Sequence, residues 1–212
     1  MTEVHSGKSR RRPPRFDLIA GSVPLDFVNT LDDRFTDQPK ELLTSYAELA
    51  RFAEDAGILE PSQADHLSRL SHEAPKEADH ALRAAIELRE AIYGVIWAIV
   101  TGKPVPRSAL TRLNHFVQLA AQHSSLVHGD GKFAWQFEDQ RNNLQAPVWH
   151  IARAAAELLA SDQLQFVRAC ASENCQWLFL DISKNHRRRW CDMTKCGNRA
   201  KVRAFYSRQK SS

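Results

Sequence analysis

Cys170-Ala171-Ser172-Glu173-Asn174-Cys175 and, fifteen residues later, Cys191-Asp192-Met193-Thr194-Lys195-Cys196-Gly197-Asn198-Arg199 carry all four cysteines of this 212-residue chain. The spacing is C-x4-C twice over, so each pair can turn two thiolates onto one ion. Two such pairs at this separation specify a tetrahedral Zn²⁺ site with Cys170, Cys175, Cys191 and Cys196 as ligands. No ligand position is left open, so one structural ion is expected, without chemistry of its own. His186 lies inside the window, but four thiolates make it unnecessary. Disulfides are the competing reading. They need an oxidising compartment, and Met1 to Lys8 shows no apolar signal core.

Outward from the cysteines, the window reads as a small module. Ala171 to Asn174 form the first turn. Trp177-Leu178-Phe179-Leu180-Asp181 alternates as a strand, Ser183-Lys184-Asn185 is turn chemistry, and Arg187 to Trp190 returns as a second strand. Cys196 opens a helix on which Val202, Phe205 and Tyr206 make an apolar strip expected to dock on that hairpin. This order of turn, hairpin and helix is treble-clef-like. With little core of its own, the module should lose its fold without metal.

Charge divides the chain. Residues 1–15 carry a net +4, residues 16–161 a net −7, and residues 162–212 eleven Lys/Arg against four acids, a net +7. An acidic body with basic ends is expected where only the ends meet a polyanion. Residues 1–15, with Arg10-Arg11-Arg12-Pro13-Pro14-Arg15, read as a disordered basic arm. In the module, Arg187, Arg188, Arg189, Arg199, Lys201 and Arg203 are the candidate nucleic-acid contacts, through phosphates above all, with Arg208 and Lys210 further along the helix. The alternatives are a solvated helix on a zinc-stabilised protein-interaction module, or an RNA binder.

Residues 16–161 read as a helical body. A short apolar segment spans Leu25 to Leu31. A helix follows from Thr44 as N-cap, another from Pro61, and the longest from Pro75 to Gly102. Pro104 and Pro106 then break the chain before a helix around Leu110 to Ala120. Gly129-Asp130-Gly131 between alternating segments marks a β-hairpin over 125–137, and Pro147 opens a last helix. The longest apolar run, Ala91 to Val100, is too short to span a bilayer. The expected fold class is therefore mainly α: a helical N-terminal bundle with a small β-hairpin, then a C-terminal treble-clef-like zinc finger over 162–212.

On the long helix, Leu82, Ala85, Ile86, Tyr93, Ile96 and Val100 define a buried stripe that also contains Arg89. A buried guanidinium needs a partner. Asp26, Asp32 and Asp33 are the candidates, making an internal ion pair. The competing reading places Asn29, Thr30 and Arg89 around a pocket for a small anionic effector. No H-E-x-x-H, phosphate-cradling loop, nucleophile elbow or carboxylate pair stands out, so no enzyme is expected.

Cys170 to Tyr206 resembles the CGNR zinc finger of bacterial proteins, through Trp177 to Asp181, Arg188-Arg189-Trp190-Cys191 and Cys196-Gly197-Asn198-Arg199-Ala200-Lys201. That family carries an α-helical N-terminal domain called ABATE. Leu25-Asp26-Phe27-Val28-Asn29-Thr30-Leu31-Asp32 is similar to its opening motif, and Leu88-Arg89-Glu90-Ala91-Ile92-Tyr93 to its long helix. The resemblance runs from about Phe16 onward. It implies a stress-linked transcription regulator with a ligand-sensing body and a DNA-binding finger. With no apolar signal core and no spanning run the protein is expected to be cytoplasmic, and the expected partners are DNA, a small anionic effector at Arg89 and a second copy of the chain through the body, with no membrane.

Overall fold

A computed structural model describes residues 13–210, with the side chains of all of them except Ala204, Ser207, Arg208 and Lys210. Most of the basic arm and the placement of the Arg208 and Lys210 side chains thus lie outside the described residues. The body contains α1 (Val23–Val28), α2 (Tyr46–Asp55), α3 (Pro61–Glu73), α4 (Pro75–Val100), α5 (Arg107–Gln122) and α6 (Ala146–Leu159). Three two-stranded antiparallel pairs accompany them: β1 (Leu31–Asp32) with β2 (Lys40–Glu41), β3 (Ser124–Gly129) with β4 (Lys132–Phe137), and β5 (Val167–Ala169) with β6 (Leu178–Leu180). A π turn, Met193–Gly197, leads into α7 (Asn198–Lys210). No described helix is long and apolar enough to cross a membrane.

Local chemistry sets the helix starts. Ser45, rather than Thr44, caps α2 by accepting a hydrogen bond from the Glu48 N–H. At α3, Glu60 and Gln63 form a reciprocal capping box, with Pro61 in the first turn. Pro75 opens α4, which has helical neighbours on several sides because its small residues Ala78, Ala81, Ala85 and Ala91 admit close approach. The buried stripe of α4 is Ala78, Ala81, Ala85, Leu88, Arg89, Ile92, Val95 and Ile96. Leu82, Ile86, Tyr93 and Val100, expected on it, are only half-buried. The β3–β4 hairpin turns through Asp130 (φ 50°) and Gly131 (φ 71°), the left-handed pair that a two-residue turn of this hand requires.

The N-terminal segment is tied down earlier than the composition suggests. Residues 13–15, expected within a disordered arm, lie on α2. The Arg15 N–H donates to Asp55 Oδ2 at 2.7 Å, and Arg51 donates to the Pro13 carbonyl oxygen at 2.5 Å.

The finger is continuous with the body. The strands that pair are β5 and β6, flanking the first cysteine turn, with Val167 opposite Leu180 and Ala169 opposite Leu178. Arg187 to Trp190, expected as the returning strand, is not a strand; its backbone is held where the Ala171 N–H donates to the Arg189 carbonyl oxygen at 2.8 Å and where the Arg188 N–H donates to Asp181 Oδ2 at 2.8 Å. Two features take it off the sheet. β6 already has β5 on one edge and the N-terminal segment on the other. Asp181, buried beneath the loop, accepts from Ser183 and from the Arg188 N–H.

Candidate metal centre and the basic surface around it

Cys170 follows directly on β5, and Cys175 ends a tight turn before β6; Cys191 and Cys196 flank the start of the π turn. All four side chains are buried, and their sulfur atoms lie within 4.8 Å of one another. Cys175 Sγ is 3.6 Å from Cys191 Sγ, which is 3.7 Å from Cys196 Sγ. Zinc–thiolate bonds of about 2.3 Å at tetrahedral angles put ligands about 3.8 Å apart, whereas a disulfide needs about 2.05 Å. The donor set therefore fits a Zn²⁺ ion, and all four cysteines are free thiols.

The surroundings favour thiolates. Backbone N–H groups of Ser172 and Cys191 donate to the Cys170 sulfur, and that of Trp177 to the Cys175 sulfur. Hydrogen bonds from Cys175 and Cys191 pull the Cys170 thiol well below its ordinary range, while the bond to Cys170 and burial push Cys175 and Cys191 up. A cluster that shares its protons this way gives them up to a divalent cation. Cys170, Cys175, Cys191 and Cys196 hold one structural zinc ion.

Several residues after Cys191 have an assignable task. Asp192 caps the π turn, accepting from the Lys195 N–H at 3.2 Å and from Thr194. At Gly197 a Cβ would sit 2.5 Å from Met193 Sδ, so glycine lets the methionine fold over the turn, and a larger residue would push that flexible side chain aside. Asn198 donates to the Thr194 carbonyl oxygen at 3.0 Å, bracing the turn. Arg199 donates to Cys196 Sγ at 3.2 Å, placing a cation against a centre whose formal charge is −2.

Two family models match the chain. Residues 21–162 match ABATE, described as "Putative stress-induced transcription regulator", and residues 167–209 match the CGNR zinc finger. The chain belongs to the ABATE family. A comparison with curated proteins gives no match.

The six candidate nucleic-acid contacts of this ABATE protein fall into two groups. Three are engaged inside the finger. Arg188 donates through Nε to the Trp190 carbonyl oxygen at 2.8 Å and through Nη2 to that of Cys191, with its guanidinium over the Phe179 ring at 4.7 Å. Its half-buried side chain braces the second cysteine loop and does not present a free cation, contrary to its expected role. Arg199 faces a metal ligand, and Arg203 donates to Ser172 Oγ at 3.3 Å, linking α7 to the first cysteine turn. The other three, Arg187, Arg189 and Lys201, are exposed and have no ion pair among the described residues. Lys184 joins them. Val202 (54 % exposed), Phe205 (52 %) and Tyr206 (59 %) do not dock on a hairpin as expected; the apolar strip of α7 faces outward.

Asn29, Thr30 and Arg89 are buried and spend their polar groups on protein partners. Arg89, 2 % exposed, is held bidentate by Glu41 at 2.7 and 2.7 Å, donates to Thr30 Oγ1 at 3.2 Å, and reaches Glu90 Oε1 at 3.0 Å. The partner is thus Glu41 on β2, and none of Asp26, Asp32 or Asp33. Asp26 instead accepts from the Ala20 N–H at 2.8 Å, and Asp32 from Trp177 Nε1 at 2.7 Å. Asn29 is buried with both amide groups satisfied by Leu178: its Nδ2 donates to the Leu178 carbonyl oxygen at 2.9 Å, and its Oδ1 accepts from the Leu178 N–H at 3.1 Å. Sequence reasoning missed Glu41, which carries no signal until the β1–β2 turn folds it back beneath α4.

Proposed function

We propose that this protein is a DNA-binding transcription regulator, cytoplasmic and not an enzyme, whose zinc-held finger meets the phosphate backbone and whose helical body relays or dimerises. The observation that carries the reading is the exposed set Lys184, Arg187, Arg189 and Lys201, without carboxylate partners among the described residues, the first three on the loop between the cysteine pairs and Lys201 in the first turn of α7. Asp192 is the last acid in the chain, so α7 has no internal counter-charge. The order of cysteine turn, extended return and helix is that of a treble clef, and the family description points to stress response. Nothing in the surroundings of Arg89 receives a small anion, so an effector, if the body takes one, binds elsewhere.

The bare strip Val202, Phe205 and Tyr206 favours a second reading, in which α7 docks an acidic protein partner. Salt dependence separates the two. The zinc-loaded protein should shift mixed genomic DNA at low salt, and Arg187→Ala, Arg189→Ala or Lys201→Ala should each flatten the log–log salt dependence of affinity by about 0.9. Arg188→Ala should instead destabilise the second cysteine loop. A zinc-loaded protein that shifts no DNA at low salt would rule out the DNA reading in favour of the protein partner.

A further inference from the structure

β6 leaves Cys175 after only two residues, and its free edge is closed by the body. The Asn29 carboxamide bonds both backbone groups of Leu178, as a neighbouring strand would. One residue earlier, Trp177 Nε1 donates to Asp32, and two residues later the Leu180 N–H donates to the Ala20 carbonyl oxygen at 2.7 Å. A Cβ at Gly21 would come within 3.3 Å of Leu180 Cβ, so the two segments are in close contact. On the metal side, the Cys170 N–H donates to the Trp177 carbonyl oxygen at 2.8 Å, closing the first cysteine turn on the residue that Asp32 grips. On the body side, Thr30, next to Asn29, accepts from Arg89 of α4. A continuous line of polar contacts therefore runs from α4 to within three residues of a zinc ligand.

We propose that Asn29 is a positioning residue of the metal centre, acting through Leu178, and that this seam makes zinc retention and the order of the N-terminal segment one coupled equilibrium. The finger is completed by the body, and zinc loss is transmitted to residues 20–32. Outer partners of metal ligands commonly change metal affinity by tenfold or more, and any such coupling is reciprocal.

The test uses the full-length zinc protein. Zinc release into excess chelator is timed for the wild type, for Asn29→Ala, and for Leu113→Ala as a core control on α5, which packs against α4, α6 and β3. Asn29→Ala should speed release about tenfold or more; Leu113→Ala should lower the melting temperature with release unchanged. Asp32→Ala, which removes the Trp177 bond and a local bond from the Asp33 N–H but leaves Asn29 on Leu178, should speed release to a lesser degree and carries the test if Asn29→Ala does not fold. In the reciprocal direction, removing zinc should accelerate amide exchange over residues 25–30 and leave α5 protected. Release from Asn29→Ala no faster than from Leu113→Ala, or from Asp32→Ala no faster than wild type where that variant carries the test, overturns the proposal. So does exchange over 25–30 that ignores the metal.

Discussion

Breaking the Arg89–Glu41 pair from either end should give very different costs. Arg89 is 2 % exposed, and its guanidinium is filled by Glu41, Thr30 and Glu90, while Glu41 keeps a third of its side chain in solvent (33 %). Truncating Glu41 leaves a buried cation with Glu90 alone, a residue that also serves Arg34. Loss of one partner from a buried pair costs about 3–5 kcal/mol; the partial exposure of Glu41 argues for the low end, about 3 kcal/mol. At about 2–4 °C per kcal/mol for a chain of this size, Glu41→Ala should melt about 6–12 °C lower. Arg89→Met removes the charge while keeping most of the stem volume, and should cost only about 1 kcal/mol. In the double variant neither the buried cation nor its carboxylate remains, so the cost should stay near that of Arg89→Met, a coupling of about 3 kcal/mol. Urea unfolding of the four proteins with zinc held in excess measures this, because a dissociating metal would otherwise shift every midpoint. Additive single effects, with coupling under about 0.5 kcal/mol, would refute the internal ion pair as the reason Arg89 is buried.

Two partly buried groups, Asp26 and His150, should oppose each other in the acid range. Burial, reinforced by Arg153, lowers His150 to about 4, whereas burial raises Asp26 to about 6. As pH falls from 6.5 to 4 the unfolded chain binds a proton at His150 that the folded chain refuses, so stability drops; as pH rises from 4 to 6 the unfolded chain releases the Asp26 proton that the folded chain keeps, so stability also drops. His150→Phe should therefore gain on wild type as pH falls from 6.5 to 4, and Asp26→Asn should gain on wild type as pH rises from 4 to 6, each by up to about 2–3 kcal/mol. Melting-temperature differences read at matched pH cancel the metal's own pH dependence, and a difference that stays flat across the window contradicts the assignment. Elemental analysis should return one zinc per chain, and chelation should change the fluorescence of Trp177 and Trp190 beside the cysteine loops; a chelated protein with an unaltered tryptophan signal would mean the finger is ordered without its ion.

The parts of this fold that the sequence announced are those set by short-range rules. Ligand spacing fixes the zinc site, prolines open α3, α4 and α6, and Asp130-Gly131 turns the β3–β4 hairpin. What it concealed are choices between equally plausible partners far apart in the chain. Asp26, Asp32, Asp33 and Glu41 are all carboxylates near the same motif, and only the folding of β2 against β1 selects Glu41 for Arg89. The second strand of the finger was misplaced for the same reason. The strand at Leu178–Leu180 is genuine, though buried on both faces rather than alternating, but a strand pattern does not name the neighbour, and Val167–Ala169 is already alongside when the chain returns at Arg187. Arg188 shows the limit for charge: three consecutive arginines look alike in sequence, yet one lies over Phe179 and ties down the Cys191 loop.

Asn29 ties these misreadings together. A buried asparagine beside a buried arginine suggests a polar cavity when each is considered alone, because both carry hydrogen-bonding capacity that must be met. Its demand is met 149 positions away, by the backbone of the strand that follows the first pair of zinc ligands. The same two bonds that remove the cavity also remove the expected independence of the finger, since β6 without Asn29 would expose an unpaired edge. The basic face of the finger is thereby tied to the acidic body, and an event that loosens α1 bears on β6 and the metal loops as well as on α4 and α6, its helical neighbours.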